Sequence, residues 1–320
     1  LASRHRRRHL ADVARQDVGE LLDEGLQLDR DAVDVACEAV VGDHRRDGGE
    51  QADGRGHQGL GNPLQVGVLA VGELDLDAAL VGSGTVVGLI GPPGIGKSRL
   101  AAELVRLGEI RGVNVVSTFC ESHARGIPFH AAARLFRNLT GVGSLQGQAA
   151  RDCVRQRLPA TDPADLLLLD DLLGIAEPEI DPPAIDPDAR RRRLSALLTS
   201  ASAARAAPDV YVVEDAHWMD EASESTIADF LTALTHSMAL ITYRPEYRGK
   251  LAEITALDAI SLVPLDGSQS SALIGELLGQ HPSVQTLAAD IGEHAAGNPF
   301  FAEEIVRDLA ERGVLQGGPG

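Results

Sequence analysis

The strongest constraint in this chain is an apolar, β-branched run that ends in a glycine-rich loop. Residues Thr85 to Ile90 predict a buried strand. Gly91 follows, then four residues, then Gly96-Lys97-Ser98 and apolar residues at helical spacing. A strand, a glycine loop and a helix form the context that a phosphate-binding loop requires. An ordinary glycine turn is the alternative. The predicted strand before the loop and the predicted helix after it favour phosphate binding.

The loop also indicates how a phosphate would be held. Its glycines let the backbone turn tightly so that successive N–H groups converge on an anion, and the helix adds the positive end of its dipole. We expect Lys97 to reach the β- and γ-phosphates of a nucleoside triphosphate and Ser98 to ligate Mg²⁺. The predicted nucleotide-binding residues here are Gly91, Pro92, Pro93, Gly94, Ile95, Gly96, Lys97, Ser98 and Arg99.

Two carboxylates follow a second apolar strand. Val210 to Val213 precede Glu214 and Asp215, and the carboxyl ends of parallel strands are where open α/β sheets bind ligands. Carboxylate oxygens suit Mg²⁺. By position, Glu214 would face the metal through water and Asp215 would act on the attacking water. A shift by one residue, with Asp215 on the metal and no dedicated base, is the open alternative.

Two further features bear on a nucleotide site. An apolar strand at 238–243 ends in Arg244 and is stopped by Pro245, so we expect Arg244 to sense the γ-phosphate at the sheet edge. Pairing of Arg244 with surface acids is the alternative. After a fifth predicted strand at 259–265, the chain turns helical. Pro299 begins the last helix of that helical part.

Charge and cysteine content limit the partners. Asp and Glu total 47 against 29 Lys and Arg, and the formal charge of -18 repels nucleic acid and anionic membranes. No apolar run is long enough to span a bilayer. The three cysteines, Cys37, Cys120 and Cys153, have no ligand-like spacing and indicate free thiols of a reducing compartment. We expect a cytoplasmic protein that binds neither nucleic acid nor membrane through this segment.

Four ordered motifs together support a family resemblance. They are Gly91 to Ser98, Val212 to Asp220, Ile241 to Glu246, and Gly297 to Glu304. Over residues 81–315 the chain resembles the STAND-class, AAA-type P-loop ATPase modules of bacterial multidomain regulators, which often carry a nucleotidyl cyclase domain or a LuxR-type helix-turn-helix. One departure is Val71-Gly72-Glu73-Leu74, an incomplete version of the box that helps to hold adenine in that family.

The resemblance implies an α/β fold: a five-stranded parallel P-loop NTPase sheet of the ASCE type, flanked by helices, with a C-terminal helical lid subdomain. It places the Arg244 strand between the P-loop and Glu214 strands, and Pro299 at the base of ATP. The implied domains are an ATPase core at 81–265 and a lid at 266–320. Residues 1–80, polar and poorly patterned, are typical of a disordered linker or a degraded domain.

Three functions compete at this point. The first is a regulatory switch that binds ATP and Mg²⁺ and hydrolyses ATP slowly, acting through self-association or through signalling domains of a longer parent protein. The second is a non-catalytic interaction module in which a bound nucleotide has only a structural role. The third is a DNA-associated AAA machine, against which the net charge argues.

Overall fold

The computed structural model describes residues 84–205, 208–234, 237–255, 259–279 and 284–315. Their contacts divide them into two compact units. The first unit comprises the described residues of 84–93 and 97–262, and the second comprises those of 263–315 together with Gly94–Gly96. The predicted N-terminal segment 1–80, with its incomplete adenine box, lies outside the described residues.

The first unit is built on a parallel sheet of five described strands in the order β2-β3-β4-β1-β5. The predicted fold is confirmed, including the position of β4, the strand before Arg244, between β1 and β3. The strands are β1 Thr85–Ile90, β2 Asn114–Phe119, β3 Asp209–Glu214, β4 Met238–Tyr243 and β5 Ala259–Ser261.

Helices cover both faces of this sheet. Helix α1 packs on one face, against the alternate strand residues that include Val87, Val212 and Leu240. Helices α2 to α6 bury the opposite face around Tyr211 and Ile241. The helices of the first unit are α1 Lys97–Ile110, α2 His130–Thr140, α3 Gly147–Arg157, α4 Pro163–Leu172, α5 Pro187–Ala203, α6 Glu221–Thr232 and α7 Lys250–Ile254.

The second unit is helical and has its own apolar core. Its helices are α8 Gly267–Leu278, α9 Gln285–Ala295 and α10 Pro299–Glu311. Leu273, Ile291 and Leu309, one from each helix, are buried together. Asp266 and Gln269 form a reciprocal capping box at the start of α8, which satisfies backbone groups that would otherwise lack partners. The predicted helical character of this part of the chain is confirmed.

The structure adds detail that the sequence prediction lacked and corrects the end of one strand. The fifth strand was expected to run to residue 265 but ends at Ser261, because Pro264 has no N–H to continue the ladder. Helix α2 begins at His130, directly after Phe129, which takes a left-handed conformation with φ 61°. Helix α3 was not predicted, and it buries only Ala150 and Val154, too few apolar residues for a periodic signal.

Two remaining expectations concern membranes and thiols. In the described part of the chain, no helix has both the length and the apolar character needed to cross a membrane. Within the described residues, Cys120 and Cys153 form no disulfide. Cys37 lies outside the described residues.

Asp220 generates a stability prediction for the first unit. Its buried carboxylate accepts hydrogen bonds from the N–H groups of Ser223 and Phe129, both at 2.8 Å, so it caps α6 and also holds the start of α2. Asp220→Ala is expected to lower the free energy of unfolding by about 2–4 kcal/mol, a lost cap plus an unpaired buried N–H. Urea unfolding followed by the fluorescence of Trp218, the single tryptophan of the chain, measures it.

Asp162→Ala is the matched control. Asp162 is exposed and accepts from one N–H, that of Ala164 at 2.7 Å, at the start of α4. Its removal should cost about 1 kcal/mol. Equal losses in the two variants would contradict the double role of Asp220.

Candidate nucleotide-binding site

The site is placed by the pairing of β1 with β4. Ile90 is in register with Tyr243, and the Gly91 N–H extends the pairing by donating to the Tyr243 carbonyl at 3.3 Å. The chain leaves β1 toward β2 on one side, whereas it leaves β4 toward β5 on the other. Neighbouring strands with oppositely directed connections form a topological switch point, the usual ligand site of an open α/β sheet.

Lys97 turns back beneath the loop at this point. It is the first residue of α1 and is only 7% exposed, and its ammonium donates to the carbonyls of Gly91 at 2.7 Å and Pro92 at 2.8 Å. Burial lowers the pKa of Lys97, the Asp215 carboxylate opposes that shift, and the Arg244 guanidinium adds to it. The ammonium therefore lies within the electrostatic reach of both Asp215 and Arg244.

The rest of the loop contains one glycine with a positive φ and several residues that are exposed to solvent. Gly96 has φ 102°, and a Cβ added there would meet no atom within 4 Å, so glycine is required by the backbone conformation and not by space. Ile95 is buried at 5% exposure, whereas Pro92, Pro93, Ser98 and Arg99 are exposed. The exposed Ser98 and Arg99 belong to the first turn of α1, where helix N–H groups are available to an anion.

Asp215 is held in an unusual backbone conformation directly after β3. It has φ 55° and ψ 45°, in the left-handed region that non-glycine residues seldom occupy, and its N–H donates to the Thr242 hydroxyl at 2.9 Å. Thr242 is fully buried in β4. Sequence reasoning did not single out Thr242, although a hydroxyl in an otherwise apolar strand, two residues before Arg244, was the available signal.

Glu214 is the last residue of β3, and its carbonyl accepts from the Cys120 N–H at 2.9 Å. Side chains alternate along the strand: Val210 and Val212 pack on the α1 side. That alternation assigns Glu214 to the α1 side of the sheet. Both candidate acids thus lie at the sheet edge that carries Lys97, and the charge of Asp215 acts on the lysine.

Arg244 follows β4 and lies against an aromatic side chain. Its guanidinium carbon is 5.5 Å from the centre of the Trp218 ring, and its Nη1 atom is 3.9 Å from a carboxylate oxygen of the exposed Glu246. The His217 ring centre is 5.1 Å from that of Trp218. Both predicted roles of Arg244 therefore stay open. It lies near a surface acid, Glu246, and its charge also acts on Lys97, as a γ-phosphate sensor would require.

His217 is neutral in this setting. Burial lowers the pKa of His217 to about 4, Asp215 opposes the shift, and the positive charges of Arg244 and Lys97 add to it. Both ring nitrogens are buried, and neither has a hydrogen-bond partner within the described ranges. The imidazole is thus an uncharged polar group among four charged ones.

The second unit contains the remaining predicted contact residue. Pro299 is the buried first residue of α10, which Asn298 caps by accepting from the Phe300 N–H at 3.1 Å. The Phe300 N–H also donates to the Gly94 carbonyl at 3.3 Å. A Cβ on Gly94 would lie 2.7 Å from Asn298 Oδ1, and its φ is 77°. Pro299 is therefore not among the residues that the first unit brings together.

These residues fit a nucleoside triphosphate with Mg²⁺. Lys97 and Arg244 supply positive charge, the loop supplies main-chain amides, and the orphaned nitrogens of His217 supply an unused donor. Within the described ranges no group of three or more His, Cys, Asp or Glu side chains can hold a metal ion by itself. Mg²⁺ needs only one or two carboxylates beside phosphate oxygens, and Ser98, Glu214 and Asp215 offer such ligands.

Comparison with known proteins agrees with this chemistry. The family model described as the AAA ATPase domain matches residues 74–242, just over half of the chain. The chain belongs to the AAA ATPase domain family. This part of the AAA ATPase chain is a nucleotide-binding ATPase module, and the family implies a nucleotide and, in most members, Mg²⁺. A second model, described only as a domain of unknown function, matches residues 266–316.

Individual relatives are distant. An uncharacterised protein of Rhizobium meliloti (strain 1021) is 29% identical over 249 residues, which is 73% of this chain but 24% of the relative. This AAA ATPase chain thus spans about a quarter of the length of that curated relative.

Two solved structures have weaker likeness. Drosophila ORC bound to DNA has 11% identity and a TM-score of 0.48, over 87% of this chain and 68% of that one. A STAND protein with a tetratricopeptide repeat sensor from Pyrococcus horikoshii has 13% identity and a TM-score of 0.36, over 73% of this chain and 28% of that one.

The neutral His217 generates a pH prediction. Because its pKa falls from the usual 6.5 to about 4 on folding, its contribution to stability is complete above pH 6.5 and is lost as the pH falls toward 4. His217→Phe should flatten the fall of the unfolding free energy in that window, by at most about 1.4 kcal/mol per pH unit. Urea unfolding of the two proteins between pH 7 and 4.5 measures the difference.

The control is His123→Phe, at a histidine whose side chain is 76% exposed, outside this site. Identical slopes for wild type and His217→Phe would show that His217 is not neutralised by the fold.

Proposed function

We propose that this AAA ATPase module is an ATP- and Mg²⁺-dependent regulatory switch of a longer signalling or transcriptional regulator, with slow hydrolysis. The observation that carries the proposal is the meeting of Lys97, Asp215 and Arg244 at the carboxyl edge of the paired β1 and β4. A cation, a carboxylate and a second cation at one switch point are the set that phosphoryl transfer requires.

Each residue has a proposed role. Lys97 contacts the β- and γ-phosphates, the N–H groups of Gly91 to Arg99 surround them, and Ser98 ligates Mg²⁺, which neutralises phosphate charge when bound. We assign the metal to Asp215, because its carboxylate directly follows β3 and its charge acts on Lys97. Glu214 then orients the attacking water. Arg244 senses the γ-phosphate, and Pro299 of the second unit contacts the base.

The regulatory part of the proposal rests on family likeness and length. The Rhizobium meliloti relative extends well beyond the matched stretch, since this chain covers 24% of it. We infer that further domains act in cis with this module, of the cyclase or LuxR type, or that the module self-associates. The net charge of -18 supports a module that does not bind nucleic acid.

Lys97→Ala tests the nucleotide site. Removing the buried ammonium should weaken ATP affinity by at least about a hundredfold, since charged hydrogen bonds to phosphate are among the strongest in proteins. Isothermal titration calorimetry measures the affinity. Lys250→Ala is the matched control, because Lys250 donates to the Ser225 hydroxyl at 2.8 Å outside the site and its loss should leave ATP affinity unchanged. Retention of ATP affinity within a few-fold in Lys97→Ala would refute the site.

Asp215→Asn and Glu214→Gln separate the two acids. We expect Asp215→Asn to weaken Mg²⁺-dependent ATP binding about tenfold or more, because the ligand charge is lost. Glu214→Gln should retain binding and slow phosphate release about a hundredfold, as expected for a group that acts on the nucleophile. The reverse pattern would return the metal to Glu214. Tight ATP binding by wild type with no phosphate release above a buffer blank would favour the non-catalytic interaction module.

A further inference from the structure

His217 stands in a turn whose geometry is set by the surrounding core. The turn Ala216–Trp218 is closed by two backbone hydrogen bonds, from Trp218 N–H to Asp215 O and from Met219 N–H to Ala216 O, both 2.9 Å. Ala216 and Met219, on either side, are buried at 1% and 7% exposure. The fold therefore fixes the backbone from which the His217 side chain extends.

The ring nitrogens of His217 have a property that packing does not explain. Both are buried, and in the part of the chain that the structure describes neither finds a hydrogen-bond partner. Burying a polar group without a partner is unfavourable, and such a group in a native protein calls for an explanation such as a catalytic role or a bound water or ion. If His217 only filled space beside Trp218, an apolar side chain would do so without that penalty.

The surroundings indicate which ligand the ring would meet. The charges that act on His217 come from Asp215, Arg244, Lys97 and Glu246, the groups gathered at the carboxyl edge of β3 and β4. Two of them are cations that attract an anion. An imidazole ring carries at least one N–H, which it can donate to that anion.

We propose that a ring N–H of His217 donates a hydrogen bond to the terminal phosphate of the bound nucleoside triphosphate and thereby distinguishes the triphosphate from the diphosphate. This rests on the proposed function. Lys97 also serves the β-phosphate, whereas His217 lies beside Trp218, which stacks with Arg244, the proposed γ-phosphate sensor. The loss of the terminal phosphate would then remove the partner of His217 and change the surroundings of the Trp218 ring.

The test compares a β,γ-imido analogue of ATP with ADP, both with Mg²⁺, by isothermal titration calorimetry. His217→Phe keeps an aromatic ring beside Trp218 but removes the donor, and His217→Gln keeps an N–H. We expect His217→Phe to bind the triphosphate about tenfold more weakly and ADP within about twofold of wild type. His217→Gln should recover part of the triphosphate affinity. The fluorescence change of Trp218 on adding the triphosphate should shrink in His217→Phe.

Each other outcome counts against the proposal. Equal losses for both nucleotides in His217→Phe would make His217 a packing residue, and unchanged affinities would remove it from the site. If His217→Phe melts below the assay temperature, the decision passes to His217→Gln, where an equal loss of affinity for the triphosphate and for ADP, or no loss for either, overturns the proposal. If wild type binds neither nucleotide, the proposed function fails as well. If wild type prefers the triphosphate and the variants do so equally, this inference alone fails.

Discussion

The pairing of β1 with β4 is the contact on which the site depends. Its register puts Ile90 beside Tyr243, so the glycine loop and Arg244 leave the sheet at the same level. Gly88 secures this arrangement, because a Cβ there would lie 2.8 Å from side-chain atoms of both Thr255 and Tyr243. Since a one-residue slip in a strand reverses which face each side chain occupies, the site tolerates no other register.

A strongly acidic chain can hold an anion at this edge because the binding groups are local. Lys97 is buried against the loop carbonyls, and Arg244 is 30% exposed beside the Trp218 ring. Burial reduces screening of Lys97 by water and salt, so this cation can act on a bound anion despite the formal charge of -18. The same burial explains why His217 stays neutral between two cations.

The sequence predicted those secondary-structure elements whose pattern is set by neighbouring residues, and it missed those that depend on distant ones. Strands β3 and β4 each contain four or more consecutive apolar residues. They were predicted because a strand that is buried on both faces is apolar at every position. Asp220 caps α6, and a cap is a contact between neighbours in sequence that a local pattern can indicate. Helix α3 escaped notice since it is mostly solvated, and β5 was overextended because an apolar run does not reveal where its partner strand ends.

The candidate site divides in the same way. Sequence alone determined the identity of the loop, the two acids and the arginine, because each follows an apolar strand and strand ends carry ligands in parallel sheets. Only the tertiary structure decided that the charge of Asp215 acts on Lys97, and that the Asp215 N–H donates to the Thr242 hydroxyl. It alone gave His217 two buried nitrogens without a described partner. Distances between residues far apart in the chain depend on strand order and register, which no local pattern encodes.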